Sequence, residues 1–352
     1  MVLVLLLAGG FLALGYAMGA SKIAQGGLLA VLFVAVVLIQ VTLPEGHGLR
    51  AATGGSLKSW LIFAGVAAIV GVYSLLLKWL KSRVPVAEPQ PDDGPFSSSE
   101  LERYARHIVL REIGGAGQQR LKSARVLVIG AGGLGSPALL YLAAAGVGAI
   151  GIVDDDEVSL SNLQRQVLHS EDRIDMPKVF SAEKGLNAIN PHVKILPFNR
   201  RLTGDNAQEI FEGFDLVLDG SDNFATRYLV NETCVVLGLP LISAAISQWE
   251  GQVSLFHPGG GAPCYACVFP DIPAEGLAPS CAEAGVMGAL PGVVGSMMAV
   301  EAIKFITGAG QVLKGEMLIY DALYGESRKL SVGRRADCKV CGRFDAAGEA
   351  TV

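Results

Sequence analysis

"RVLVIGAGGLGSPALLYLAAAGVGAIGIVDDDEVSLSNLQRQVLH", residues 125–169, decides the reading of this chain. A short β-branched run leads into Gly130, Gly132, Gly133 and Gly135, and a stretch of small and apolar residues at helical length follows them. A second apolar run, "AIGIVD", ends on Asp154, roughly 20 residues beyond the glycines. Glycines permit the tight turn and let the backbone approach a ligand closely, while the helix start offers free N–H groups and a positive dipole end to phosphate. Strand, glycine turn, helix and a second strand ending in an acid predict a nucleotide-binding α/β unit, with Asp154 accepting hydrogen bonds from ribose hydroxyls.

The alternation continues downstream. "VKILPF", "FDLVLDGSDN" and "LPLISAAI" read as strands separated by helical stretches, the pattern of a doubly wound, mostly parallel sheet. "GQVSLFHP", "EMLIYDAL" and "SRKLSV" read as later strands of mixed or antiparallel pairing. Polar residues gather where these strands end, which is where such folds hold ligands. Asn162, Gln164 and Arg165 follow the second strand, Lys178 comes soon after, and Asp222 with Asn223 follow the fourth. An arginine and a lysine neutralise polyphosphate, and a carboxylate at the same edge suits Mg2+, which keeps much of its shell for water and phosphate. Nicotinamide chemistry needs none of these. Attack of an anionic nucleophile on the α-phosphate of ATP needs all of them.

The 352 residues are 51% apolar and 17% charged, with a net charge of −5. No basic block offers itself to nucleic acid. The mean hydropathy of +0.44 comes from the N-terminal end. Residues 2–19, 27–43 and 60–77 form three apolar runs without an Asp, Glu, Lys or Arg, each near the roughly 20 residues that cross a bilayer as helix. A cleaved signal peptide would begin with a basic segment, and Met1 to Leu7 carries no side-chain charge. Lys78, Lys81 and Arg83 place the following chain on the cytoplasmic side, which with three spans turns the N-terminus outward. Lys22 against Arg50 and Lys58 in the two short loops argues the other way. Residues 1–81 are thus predicted as a membrane region at the cell inner membrane, and 82–99, "SRVPVAEPQPDDGPFSSS", as a flexible tether. A serine-capped helix then opens a soluble domain over 100–345, leaving 346–352 as a tail.

From about Leu101 to Gly342 the chain resembles the MoeB/ThiF/HesA family of ubiquitin-activating-enzyme-like adenylyltransferases, its MoeB-like members above all. "RYARHIVL", "IGAGGLGSPA", "DDDEVSLSNLQRQVLH", "LDGSDN", "EGQVSLF", "CYAC", "SCAEAGVMG" and "CKVCG" carry the resemblance, in the family's order. It implies ATP-dependent adenylation of the C-terminal Gly-Gly of a small ubiquitin-fold sulfur-carrier protein, MoaD-like or ThiS-like, with release of pyrophosphate, in molybdenum cofactor or thiamine biosynthesis. It also implies that Gly133 approaches the nucleotide and Asp154 holds the ribose. Asn162, Arg165 and Lys178 contact the phosphates, and Ser161, Leu163 and Gln164 complete the run that lines the nucleotide. Asp222 coordinates Mg2+ beside Asn223, and Arg106 reaches the nucleotide across a homodimer interface. Some relatives append a sulfurtransferase domain. None follows here, so the resemblance implies a separate sulfur donor.

Cys264 and Cys267 form one C-x-x-C, and Cys338 and Cys341 another. Two such hooks make a closed tetrahedral zinc site, with a pair of disulfides as the rival that a reducing cytoplasm disfavours. Cys281, in "PAEGLAPSCAEAGVMG", matches a cysteine that in some relatives links covalently to the carrier, and from sequence it is either such a nucleophile or an inert small residue. Cys234 reads as core. The five histidines show no ligand spacing and no hydrolase order. The apolar stretch 290–308 is interrupted by Glu301 and Lys304 and is expected to pack in the soluble core. Two other classes fit parts of the pattern: a membrane-anchored NAD-dependent oxidoreductase, and an inactive scaffold that binds a ubiquitin-like tail.

Overall fold

The computed structural model describes residues 2–54, 56–83, 94–272 and 284–342. They divide into two compact units, Met1–Pro91 and Asp92–Val352.

The first unit is helical, with α1 (Val2–Ala17), α2 (Lys22–Thr42), α3 (Gly48–Thr53) and α4 (Leu57–Arg83). Among the described residues its few buried side chains are Val4, Val36, Trp60 and Gln40, whereas Leu6, Leu14, Val31, Ile62, Val72 and Leu75 all point outward. Ala24–Thr42 and the stretch Gly48–Leu80, which holds α4, are long and apolar enough to cross a membrane by length and composition. The helix α1, at 16 residues, spans about 24 Å, less than the ~30 Å of a hydrocarbon core. The loop between the second and third apolar runs folds into α3 and is pinned by polar contacts. Gln40 donates to Arg50 O and Thr53 Oγ1 at 3.2 and 2.9 Å, and Trp60 Nε1 donates to Gly54 O at 3.0 Å.

In the second unit, α5 (Ser98–Ile108), α6 (Gly114–Ser123), β1 (Arg125–Ile129), α7 (Gly135–Ala145) and β2 (Ala149–Val153) come first. They are followed by α8 (Lys178–Ile189), β3 (Lys194–Phe198), α9 (Ala207–Phe211), β4 (Leu216–Asp219), α10 (Phe224–Leu237), β5 (Leu241–Ile246) and β6 (Glu250–Phe256). The short α11 (Tyr265–Val268), the long α12 (Leu290–Thr307), β7 (Glu316–Asp321) and β8 (Glu326–Ser331) complete the unit. The strands form one eight-stranded sheet in the order β3-β2-β1-β4-β5-β6-β7-β8. The five strands from β3 to β5 pair in parallel and the remainder antiparallel, as the residue pattern predicts.

Both faces of the parallel half are covered, which is why β1, β2 and β4 are apolar without alternation. Leu139, Leu142, Val179, Leu186, Val294 and Met298 belong to the core on one side of the sheet, with Ile210, Phe211, Val230 and Cys234 in the second cluster. The stretch 290–308 forms α12 and lies in the core as expected, with Leu290, Val294, Met298 and Ala302 buried. Its buried Glu301 accepts from Leu313 N at 2.8 Å and Lys304 Nζ at 2.6 Å, so the two charges that interrupt the run answer each other.

The unit begins earlier than the composition implies. Phe96 is buried, edge-on to Tyr104 at 6.2 Å and under Lys122 Nζ at 5.1 Å. Ser97 and Glu100 then form a reciprocal capping box for α5. Both ends of the predicted tether 82–99 are folded, since α4 runs to Arg83 and the core starts at Phe96, while 84–93 lie outside the described residues.

Candidate nucleotide site and cysteine centre

The strand order reverses at β1, whose neighbours β2 and β4 lead away in opposite directions; ligands of open α/β sheets bind at the carboxyl end of such a point. The glycine turn occupies that position, and its glycines are required by different neighbours. Gly130 has φ +91, and a Cβ on Gly135 would lie 1.9 Å from Gly130 O, so α7 can start only where it does if both are glycine. A Cβ on Gly133 would meet Pro291 at 3.1 Å and Arg165 Cγ at 3.7 Å, and one on Gly132 would meet Gln166 Nε2 at 3.6 Å. The turn is thus roofed by the loop that follows β2.

Asp154 closes the turn from the side. Its Oδ2 accepts from Ala131 N at 2.7 Å and its Oδ1 from Asp156 N at 2.9 Å. Burial lifts this carboxyl above its ordinary range, and the Lys178 ammonium nearby pulls it back down. On the carbonyl side of the same residue, buried His169 sets Nε2 2.9 Å from Ala131 O and Nδ1 2.8 Å from Ser181 Oγ. Because a carbonyl only accepts, Nε2 carries a proton, and burial, with Lys178 and Arg173 nearby, holds the ring's pKa below its ordinary value.

The other predicted residues are brought to this edge by the loop and by two helix starts. Asn162 lies in a single 3-10 turn, Leu160–Asn162, and its Oδ1 accepts from Arg165 Nη2 at 3.1 Å. Arg165 Nη1 reaches Ser161 O at 3.2 Å, and among the described residues no carboxylate neutralises this guanidinium. Leu163 is half-buried and Ser161 exposed. Gln164 packs on the chain after residue 283, since a Cβ on Gly288 would fall 2.3 Å from Gln164 Oε1. Lys178 opens α8 with its side chain 5% exposed and Nζ 2.7 Å from Asp156 Oδ2.

Asp222 is exposed in the turn after β4, while Asn223 caps α10, its Oδ1 accepting from Thr226 N at 2.9 Å. Arg106 is exposed on α5 and has no ion-pair partner among the described residues. Cys281 lies outside the described residues.

Four positions at this edge were not singled out from sequence. Asp219, the last residue of β4, is buried and accepts from Ser221 Oγ at 2.6 Å, Ser221 N at 3.0 Å and Ser243 Oγ at 2.9 Å. Arg227 of α10 lies 3.6 Å from it and donates to Ala244 O at 2.7 Å and to Ser221 O. This buried pair fixes the turn that carries Asp222. Asp156 and Gln166 are the others; Gln166 is buried over the glycine turn with its Oε1 unpaired.

The four C-x-x-C cysteines come together as predicted. Their sulfurs all lie within 4.8 Å of one another, with Cys264–Cys267 at 3.8 Å, Cys264–Cys338 at 3.6 Å and Cys267–Cys341 at 3.4 Å. Disulfide sulfurs would be about 2.05 Å apart, whereas sulfurs around a tetrahedral Zn2+ at ~2.3 Å would be about 3.8 Å apart. Burial pushes the Cys264 thiol up, with the other three adding to it, and pushes Cys341 up to about 11, while hydrogen bonds to backbone and thiols outweigh burial at Cys338 and lower it. Four enclosed sulfurs with those tendencies fit a dication. Gly342 closes the second hook, because a Cβ there would sit 2.5 Å from Cys338 O.

Comparison with known proteins decides the family. The profile described as "ThiF family" matches residues 104–340. The chain belongs to the ThiF family. A sulfur carrier protein adenylyltransferase of Thermus thermophilus is 52% identical over 251 residues, covering 70% of this chain and 93% of that protein. The SAMP-activating enzyme E1 of Haloferax volcanii is 47% identical over 247 residues, covering 70% of this chain and 91% of its own. Among solved structures, E. coli MccB with AMPCPP and MccA superposes with a TM-score of 0.62 at 24% identity, covering 70% of this chain and 75% of that one. At that identity the likeness shows the fold. The ThiF match takes in the glycine turn, Asn162, Arg165, Lys178, Asp222 and the first three of the four centre cysteines.

Proposed function

We propose that this ThiF-family adenylyltransferase activates the C-terminal Gly-Gly carboxylate of a MoaD-like or ThiS-like sulfur-carrier protein. A carboxylate oxygen attacks the α-phosphorus of ATP, the bond from that phosphorus to the β-phosphate oxygen breaks, and pyrophosphate leaves behind an acyl-adenylate. The observation that carries the reading is Arg165. It is a cation over the glycine turn, oriented by Asn162 and Ser161 O and, among the described residues, without a carboxylate partner, which suits a phosphate-binding group.

In this reading Gly130, Gly132, Gly133 and Gly135 let the phosphates approach, Asp154 takes the ribose, and Lys178 with Arg165 offsets charge as pentavalent phosphorus forms. Gln166, unpaired above the turn, and Gln164, at the contact with Gly288, border the same space. Asp222, exposed at the end of β4, would hold Mg2+, which neutralises the triphosphate and eases departure of pyrophosphate. The cysteine centre holds structural Zn2+ and takes no part in the chemistry. It joins α11 to the hook at residues 338–341.

A homodimer in which Arg106 of one protomer completes the other's site accounts for an arginine left exposed and unpaired on α5. The outward-facing apolar side chains of the first unit support an anchor in the inner membrane, with Lys78 and the basic residues after it facing the cytoplasm. Carrier-dependent ATP/pyrophosphate exchange tests the reading. Arg165→Ala and Asp222→Ala are each expected to abolish it with the fold intact, and wild-type exchange in either variant removes that residue from the site.

A further inference from the structure

Asp156 makes three contacts at once. Its N–H donates to Asp154 Oδ1 at 2.9 Å, its carbonyl accepts from Lys178 N at 2.9 Å, and its Oδ2 lies 2.7 Å from Lys178 Nζ. The chain on either side is tied as well, with Glu157 bridged antiparallel to Pro177 and Val158 N donating to Met176 O at 2.9 Å. These contacts fix the Asp156 backbone beside Lys178 whether or not the ionic contact is made.

The two partners of this ion pair differ in environment. The Lys178 side chain is 5% exposed and the Asp156 side chain 69% exposed. An enclosed ammonium needs an anion, whereas a carboxylate already in water loses little when its partner turns away. The pair is thus built to open in one direction. We propose that Asp156 is a positioning residue, the counter-ion that Lys178 gives up for the nucleotide phosphate. It holds the ammonium in place beside the loop after β2 until a stronger anion arrives. This rests on the reading of Lys178 as a phosphate contact.

The test is calorimetric binding of ATP and of adenosine to the full-length protein, with and without Mg2+. Removing the competing charge in Asp156→Asn tightens ATP binding about tenfold and leaves adenosine binding unchanged. Asp156→Glu, which retains the charge, binds ATP like the wild type, and on a Lys178→Met background the gain from Asp156→Asn shrinks. If the asparagine variant does not fold, Asp156→Ser serves for the same comparison. Unchanged ATP binding in the neutral variant overturns the proposal and leaves Asp156 a purely structural tie. Weaker binding confined to Mg2+ overturns it in favour of a metal-binding carboxylate, and weaker binding in both conditions overturns it as well. Wild-type protein that binds ATP no better than adenosine overturns instead the phosphate role of Lys178.

Discussion

Ala131 is held at both ends of its backbone, its N–H by Asp154 at 2.7 Å and its carbonyl by His169 at 2.9 Å. The residue that shapes the glycine turn thus depends on an acid just past β2 and on an imidazole anchored to α8. Asp154→Ala removes the acceptor for the N–H of a fully buried residue as well as the proposed ribose contact. It is expected to destabilise the fold by about 1–3 kcal/mol and to reduce ATP affinity at least 100-fold, measured by urea unfolding and calorimetry.

Burial of this imidazole makes stability pH-dependent. Burial depresses the pKa of both His169 and His257 in the folded state, and nearby cations, Lys178 and Arg173 for His169 and Lys314 for His257, push the same way. The unfolded chain then binds more protons than the native one as pH falls through 6.5, so these groups favour folding fully above that value and lose their contribution below it, down to their folded pKa values. Urea midpoints measured from pH 7.5 to 5 should fall, and His169→Gln should flatten part of the slope. A midpoint that rises as pH falls would falsify the lowered pKa values of these two imidazoles.

Two glycine substitutions separate folding from binding. In Gly135→Ala the new methyl meets backbone oxygen at 1.9 Å, which nothing flexible can relieve, and a loss of about 3 kcal/mol or more is expected. In Gly133→Ala the nearest atoms are Pro291 and Arg165 side chains at 3.1 and 3.7 Å, so the fold is expected to survive while the proposed phosphate cradle fills. Melting curves set beside ATP titrations will show whether the two defects part in this way.

The Asp219–Arg227 pair is predicted to act through stability first. Both side chains are buried, at 1% and 7% exposure, and Arg227→Met leaves a carboxylate with hydroxyl and N–H partners only. The expected cost is about 3–5 kcal/mol in denaturant unfolding. A variant as stable as the wild type would show that the serine contacts alone hold Asp219.

Zinc analysis of the purified protein should return one ion per chain, absent from Cys338→Ser, with a lower melting temperature after chelation. Metal-free protein with an unchanged melting temperature would leave the cysteine centre without its dication.

Much of this was readable in the sequence because it is local. The strands are short apolar runs, the glycine turn has fixed spacing, and C-x-x-C hooks announce themselves in any order of folding. Asn223 also had a local signal that points elsewhere, since an asparagine opening a helical stretch is a cap, and it caps α10. What the sequence hid was non-local. Asp156 finds Lys178 across 22 positions and His169 finds Ala131 across 38, distances over which no periodicity constrains the partner. Asp219 offered a hint that went unused: an acid ending a strand as apolar as "LVLD" must be answered by donors from elsewhere in the fold.

The central claim is tested most directly by incorporating labelled pyrophosphate into ATP with the purified full-length chain, Mg2+ and each sulfur carrier in turn. Label entering ATP only when a carrier with an intact Gly-Gly terminus is present is the predicted result. Incorporation without a carrier, or none with any of them, would contradict it.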